Sequence, residues 1–197
     1  MVWADLSPEA EFSKYIQTLD QNKVYSISQA TAKYQTLFGP VKDQTIKLKA
    51  YREWQKYYEA VRRVQNQVIA SKNDQLLSEG SKPSLATKAF WSALKYNGLS
   101  PDLEEGVYSV EPDYDYLVRN FSKFLPGWLS EFNKLIAQEL KEGFITDEKL
   151  VISTDKLSKR IVQWENYLKK YPGTENQNLI QEKLKMYRAL LKQHLKK

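Results

Sequence analysis

The sequence predicts an all-α protein, an irregular bundle of about eight helices that ends in an antiparallel helical hairpin. Apolar residues recur at steps of three and four along most of the chain, which is the spacing of a buried helix face. Capping residues and Gly or Pro breakers separate these segments from one another. With 42% hydrophobic and 13% aromatic residues, the 197-residue chain can build a core. We expect a helical domain over residues 1–150 and a C-terminal hairpin over residues 151–197 that packs on it.

The first two helices have clear end signals. Ser7 caps the first helix, which has a proline in its first turn and runs to about Leu19. The second begins at Ser26, which has the spacing of a capping box with Gln29. We expect it to end in a left-handed cap at Gly39, just before a proline.

The third helix is the longest, because residues 43–71 contain neither Gly nor Pro. Its apolar stripe comprises Ala50, Trp54, Tyr57, Val61, Val64 and Val68. Steps of four and three predict a helix that packs along its whole length. The basic residues expected to face water are Lys47, Arg52, Lys56, Arg62 and Arg63.

The middle of the chain holds a loop, a helix and an extended segment. The polar residues 72–82 contain a glycine and predict a loop. The fourth helix starts at Ser84 and ends before Gly98, and its apolar side comprises Ala86, Ala89, Phe90, Ala93 and Leu94. Alternating residues over 99–112 indicate a short strand or an extended arm.

Two further helices precede the hairpin. The fifth is expected over residues 113–124 and the sixth over residues 128–141. Pro126 and Gly127 separate them, and Gly143 closes the sixth helix.

The last two helices are joined by a short turn. Ser153 or Thr154 caps the seventh helix, and Pro172 ends it. Thr174 and Gln177 form the capping-box pair of the eighth. The stripe of the seventh helix comprises Leu157, Ile161, Trp164, Leu168 and Tyr171. That of the eighth comprises Ile180, Leu184, Tyr187, Leu191 and Leu195. Two apolar stripes joined in this way predict an antiparallel pair.

Composition excludes several classes of function. The chain has no cysteine, so it has no disulfide, thiol nucleophile or thiolate zinc site. Its single histidine, His194, lies in a terminal turn and is assigned no role. We therefore expect no cofactor and no bound metal ion. No stretch approaches the roughly 18–20 apolar residues that a membrane span requires. The first residues lack a secretory signal, so we expect a cytoplasmic protein or the mature part of an exported one.

An aromatic and acidic region around residues 99–128 could hold a binding site. Its candidate binding residues are Tyr108, Tyr114, Tyr116, Glu111 and Asp115. Tyrosine faces and hydroxyls suit a sugar or a peptide, although the apolar spacing over residues 117–125 favours core packing. The acidic residues of the region are Glu104, Glu105, Glu111, Asp113 and Asp115. Two of these carboxyls could act as a glycosidase pair or hold a cation, whereas Asp113 is explained as a helix cap.

The positive charge is concentrated at the C-terminus. The net charge is +6, and residues 156–197 alone hold eleven Lys or Arg against three Glu. The candidate binding residues here are Lys183, Lys185 and Arg188, and the surface could be extended by Lys49, Arg52, Arg62 and Arg63. Such a surface could bind nucleic acid through its phosphates, or an anionic lipid or cell-wall polymer. A solvated helix face is the simpler interpretation.

Two short segments resemble bacterial envelope proteins. Residues 164–172, Trp-Glu-Asn-Tyr-Leu-Lys-Lys-Tyr-Pro, are similar to the helical turn of tetratricopeptide-like envelope proteins and lipoproteins. More loosely, residues 105–108 and 111–114, Glu-Gly-Val-Tyr and Glu-Pro-Asp-Tyr, resemble a segment of envelope proteins that have no assigned activity. The hairpin resemblance covers about 40 of the 197 residues and only one repeat unit.

The resemblance implies a non-enzymatic helical interaction or scaffold protein of the bacterial periplasm or envelope. Its expected partner is a protein or a cell-wall polymer. Membrane association is expected only through a lipid anchor, which this sequence lacks. Two alternatives stay open, a cytoplasmic protein associated with nucleic acid and a carbohydrate-active enzyme that uses the acidic segment.

Overall fold

The computed structural model describes residues 6–146 and 149–194. This part of the chain is predominantly helical, so the predicted all-α class is confirmed. The nine helices found in these two ranges are α1 (Pro8–Gln17), α2 (Ser26–Phe38), α3 (Gln44–Ala70), α4 (Asn73–Glu79), α5 (Leu85–Tyr96), α6 (Tyr114–Phe121), α7 (Gly127–Glu142), α8 (Thr154–Lys170) and α9 (Gln177–His194). The strands in the same ranges are β1 (Leu99–Glu104), β2 (Val107–Pro112), β3 (Ile145–Thr146) and β4 (Lys149–Leu150).

The chain forms two compact units, which we describe separately. The first ends at Pro126 and the second begins at Gly127. The sequence had suggested a boundary near residue 150, but α7 packs with α8 and therefore belongs with the C-terminal hairpin.

The core of the first unit is aromatic and is organised by α3. Trp54 is fully buried, and its ring centroid lies 4.4 Å from that of Phe121 on α6. The predicted stripe of α3 is right over its first half. Further along, Val64 and Val68 are only half-buried, while Gln65 and Ile69 are buried in their place. The buried face therefore shifts by one position along the second half of the helix.

Three basic residues of α3 that were expected to face water are not exposed, and one of them, Arg52, is half-buried. Lys47 is 8% exposed, because its helix position faces the core. Arg62 is half-buried and bonds to Glu59 and Glu111. Burial of these long side chains is possible because their methylene stems are apolar.

Side-chain caps confirm most of the predicted helix starts. Ser7, Ser84 and Ser153 each accept a hydrogen bond from a backbone N–H in the first turn. The predicted bounds of α2 are confirmed, but the predicted caps at its two ends were wrong. The Ser26 hydroxyl donates to the carbonyl of Lys23 instead of capping the helix, and Gly39 keeps a helical φ of −55°.

The predicted loop over residues 72–82 contains a helix, α4. Asp74 lies in its first turn, where an acidic residue suits the helix dipole, and Leu76 is buried against the unit. Gly80 ends the helix with a φ of +49°.

The extended segment is a hairpin of two antiparallel strands, β1 and β2, with Leu99 opposite Pro112 and Glu104 opposite Val107. Its buried face includes Leu99 and Val110, while the opposite face is largely polar, as the twofold alternation of a strand requires. Only two residues, Glu105 and Gly106, connect the strands, and both have positive φ, 49° and 79°. Such a two-residue connection matches the twist of the strands.

We expect Glu105→Asn to stabilise the protein by about 0.5–1 kcal/mol, because asparagine tolerates positive φ better than glutamate does. Urea denaturation measures the change. Glu104→Asn is the matched control, since Glu104 is exposed on the same hairpin and has no positive φ. An equal gain in both variants would assign the effect to charge and not to backbone conformation.

The second unit packs α8 against α7 and α9. Leu157, Trp164 and Tyr167 on α8 are fully buried. The predicted stripe of α8 is correct from Leu157 to Trp164. Leu168 is half-buried because Tyr167 takes the core position.

The start of α9 differs from the predicted capping box. The Gln177 side chain accepts a hydrogen bond from the Gly173 N–H, and the Thr174 hydroxyl donates to the carbonyl of Tyr171. Both side chains therefore close the turn and do not pair with each other. Ile180, Leu184 and Tyr187 are buried as predicted, whereas Leu191 is half-buried and Leu195 lies outside the described residues.

Candidate functional site

The structure separates the candidate residues of the hairpin and α6. Tyr108 is half-buried and packs against Trp91 with ring centroids 5.5 Å apart. Glu111 is exposed and lies 3.2 Å from the Arg62 guanidinium. Glu104 is exposed near the tip of the hairpin. The acidic residues of this region therefore do not line one pocket.

The start of α6 uses its polar groups structurally. The Asp113 carboxylate accepts from the backbone N–H groups of Asp115 and Tyr116, which confirms its capping role. Burial, together with the carboxylates of Glu59 and Glu111, raises the pKa of Tyr114. Asp115 is half-buried beside this cap.

Two asparagines hold β2 to the helices. The Asn66 side chain donates to the carbonyl of Val110 and accepts from its N–H, at 3.3 and 2.8 Å. Asn73 bonds in the same manner to the carbonyl of Gly106 and the N–H of Tyr108, at 3.1 and 2.8 Å. Both amides imitate a backbone peptide, so they fix the position of the hairpin.

The three basic candidates lie on α9 in different environments. Lys183 is half-buried and pairs with Glu139 at 2.5 Å. Arg188 pairs with Glu165 at 2.7 Å, and Lys185 is exposed. They do not form one continuous unpaired surface.

Sequence reasoning missed a buried charge cluster around Glu139 in the second unit. The Glu139 carboxylate accepts from Trp164 Nε1 at 2.6 Å and from Lys183 Nζ at 2.5 Å. Arg160, which is 2% exposed, places Nε 3.6 Å from the same carboxylate. Burial and the Glu139 carboxylate raise the pKa of Tyr187. This cluster joins three helices and leaves Glu139 committed to structural contacts.

Of the residues expected on the buried side of α5, Leu94 is buried as predicted, whereas Ala86 and Ala89 are exposed. Leu85 is 84% exposed and Tyr96 is 77% exposed. Ala86 and Ala89 are also exposed, and Ala93 is half-buried. At 3.6 residues per turn these five side chains form one continuous stripe, which we call the α5 stripe. The opposite side of the helix buries Thr87 and Leu94.

A cleft of about 330 Å³ lies between α2 and α6. On the α2 side, the cleft is lined by the small side chains of Ser28, Thr31 and Ala32. The remaining lining residues are Gln35, Tyr96, Tyr116, Arg119 and Asn120. The cleft is therefore lined by polar and aromatic side chains, and Arg119 is the one residue of this lining with a formal charge.

Hydrogen bonds keep the walls of the cleft in place. The Tyr116 hydroxyl donates to Thr31 Oγ1 at 2.8 Å, and Trp54 Nε1 donates to the same oxygen at 3.1 Å. Burial raises the pKa of Tyr116 to about 12. Gln35 Nε2 bonds to both the carbonyl and the side-chain oxygen of Asn120, which ties α2 to α6. The cleft is thus preformed.

Nothing in the described residues indicates a metal centre, since no three acidic or histidine side chains gather there as ligands. None of the described helices combines the length and apolar character that crossing a bilayer requires. No protein-family profile, curated protein or solved structure matches the chain. The candidate functional features are therefore the α5 stripe and the neighbouring cleft.

Proposed function

We propose that this chain is a non-enzymatic helical interaction protein of the bacterial cell envelope, and that it binds a partner protein through the α5 stripe. The exposure of the α5 stripe carries the proposal. Five apolar side chains on one helix face, two of them large and more than three-quarters exposed, are costly to leave in water. A continuous apolar surface of this kind is typical of a protein interface.

The chemistry of the stripe indicates what the partner presents. The alanines at 86, 89 and 93 would let another helix approach closely, because interaxial distance depends on the side chains at the contact. Lys88 and Lys95 are exposed on the same helix beside the stripe. The partner segment is therefore an amphipathic helix with acidic residues next to its apolar face.

The envelope location rests on the similarity of residues 105–114 and 164–172 to bacterial envelope proteins. The structural use of candidate catalytic groups supports a binding role over catalysis. Asp113 caps α6 and Glu111 pairs with Arg62, so two of the five clustered carboxyls are already engaged.

Site-specific photocrosslinking in the source bacterium tests the proposal. A benzophenone amino acid is placed at Ala89 in the stripe or, as a control, at Lys56, which is exposed on α3. We expect the protein in the envelope fraction, with one discrete adduct from position 89 and none from position 56. Leu85→Lys should abolish the adduct, since it introduces a charge into the apolar contact.

Three outcomes would contradict the proposal. The first is a protein confined to the cytosolic fraction, and the second is equal crosslinking from both positions. The third is an adduct that contains only a second copy of this chain, which would identify the stripe as a self-association surface.

A further inference from the structure

We propose that the cleft between α2 and α6 binds a small organic acid that carries a ring, with the carboxylate on Arg119 and the ring on Tyr96. The cleft shares Tyr96 with the α5 stripe, but its binding of a small acid is tested on the purified protein, with no partner protein present. Three features of the cleft support this assignment, namely its charge, its size and its exposed aromatic wall.

The charge of the cleft selects an anion. Arg119 is exposed and forms no ion pair with a carboxylate in residues 6–146 or 149–194. No acidic residue lines the cleft. The planar guanidinium matches a carboxylate with two parallel hydrogen bonds. One cation in a neutral lining balances one negative charge, which favours a carboxylate over a phosphate of higher charge.

The size of the cleft selects a small molecule. Its volume of about 330 Å³ is near the lower end of the range of ligand pockets, about 300–1,000 Å³. Neutral polar groups of Ser28, Gln35 and Asn120 lie along the lining. The Ser28 hydroxyl donates to the carbonyl of Tyr25 and Asn120 Nδ2 donates to that of Tyr116, so the Ser28 oxygen can accept from a ligand and Asn120 keeps one N–H to donate. Gln35 uses its Nε2 toward Asn120, so its side-chain oxygen is the part of the amide that can accept from a ligand.

The aromatic wall selects a ring. Tyr96 ends α5 with 77% of its surface exposed, yet it forms part of the cleft lining. A ligand ring stacked on this side chain would cover apolar surface that the fold leaves in water. Because Tyr116 is locked onto Thr31 behind it, the cleft loses little freedom when a ligand binds.

Nuclear magnetic resonance titration of the purified full chain tests the site. The probes are D-glucuronate, a sugar acid, and benzoate, an aromatic acid. Their neutral controls are D-glucose and benzamide at the same ionic strength. We expect at least one acid to shift the amide signals of Ser28, Thr31 and Asn120 saturably. Its neutral control should bind at least about tenfold more weakly, as expected for loss of a charge-assisted bond.

Two variants locate the charge. Arg119→Gln should weaken binding of the acid by about tenfold or more, whereas Arg63→Gln, which removes an exposed arginine outside the cleft, should leave it unchanged. Tyr96→Ala should weaken binding of the ring-bearing acid but not of acetate. Because Arg119 is exposed, its replacement should not change the amide signals of the rest of the protein, and unchanged signals there show that the variant is folded.

Each result of these titrations either supports the proposal or overturns it. Saturable binding of glucuronate alone identifies a sugar-acid site, and binding of benzoate alone identifies an aromatic-acid site; both support the proposal. Equal binding of an acid and its neutral control overturns it. Unchanged affinity in Arg119→Gln, or no saturable shift up to about 20 mM of either acid, overturns it as well.

Discussion

Replacing Glu139 by leucine should lower the free energy of unfolding of the second unit by about 3–5 kcal/mol, the usual cost of breaking a buried ion pair. Glu139 is 8% exposed and bonds to Trp164 and Lys183. Arg160, 2% exposed, keeps its ion pair with Glu142 at 3.0 Å in the variant but loses the second carboxylate, 3.6 Å from its Nε. Trp164 Nε1 and Lys183 Nζ lose their acceptor as well, so polar donors are left without partners where α7 packs on α8.

Urea denaturation followed by circular dichroism measures this loss. The matched control is Glu131→Leu on the same helix, because Glu131 pairs with the exposed Lys170. Surface ion pairs contribute about 0–1 kcal/mol, so the control should change stability little. If both variants lost a similar free energy of unfolding, the buried ion pair of Glu139 would contribute no more to stability than the surface pair of Glu131.

The second large effect is expected for Gly98→Ala, which should destabilise the first unit by about 2–5 kcal/mol through strain and overpacking together. Gly98 has a φ of +86°, and a Cβ at this position would lie 2.6 Å from the ring of Tyr116. Tyr116 cannot move aside easily because its hydroxyl is bonded to Thr31. The Gly98 carbonyl also accepts from the hydroxyl of Tyr58 and the N–H of Asp113.

Gly106→Ala separates the two causes of this effect. Gly106 also has a positive φ, +79°, but no atom lies within 4 Å of a Cβ built there. The loss of stability in Gly106→Ala should therefore reflect backbone strain alone, about 1–2 kcal/mol. Thermal denaturation compares the variants. If Gly98→Ala were no worse than Gly106→Ala, the close approach to Tyr116 would have no energetic consequence.

Local signals in the sequence were sufficient for most of the helices, whereas α4 was missed and the contacts that each helix makes were not predicted. Ser7, Ser84 and Ser153 announced helix starts because a cap is made within a single turn. The exposure of the α5 stripe was not predicted, because burial of a helix face depends on what packs against it. An apolar helix face has the same spacing whether the chain itself or another molecule covers it, so periodicity could not distinguish the two cases.

The charge cluster and the cleft depend on contacts between distant residues. Glu139 meets Trp164 and Lys183 across 25 and 44 positions of the chain. Tyr116 meets Thr31 across 85 positions. Tyr116 was selected as a binding residue for its aromatic ring, whereas Arg119 was not selected at all. A lone arginine in a helix gives no local sign that an uncharged cleft will form beside it.

The ion pairs of the positively charged C-terminal segment also depend on contacts between distant residues. Arg160, Lys170, Lys183 and Arg188 all belong to the basic segment, yet each pairs with a glutamate. Glu131, Glu139 and Glu142 lie on α7, which precedes that segment in sequence. Counting charges within the segment therefore overstated the field available to a phosphate.

The two asparagines that bind β2 have a consequence for assembly between molecules. A strand with unpaired backbone groups is a template on which another chain can add a strand. Asn66 and Asn73 occupy both the N–H and the carbonyl of Val110, the N–H of Tyr108 and the carbonyl of Gly106. On the neighbouring strand, Pro101 lies opposite Val110 and has no N–H to offer. The hairpin therefore resists edge-to-edge aggregation, and its exposed acidic tip adds like-charge repulsion between copies.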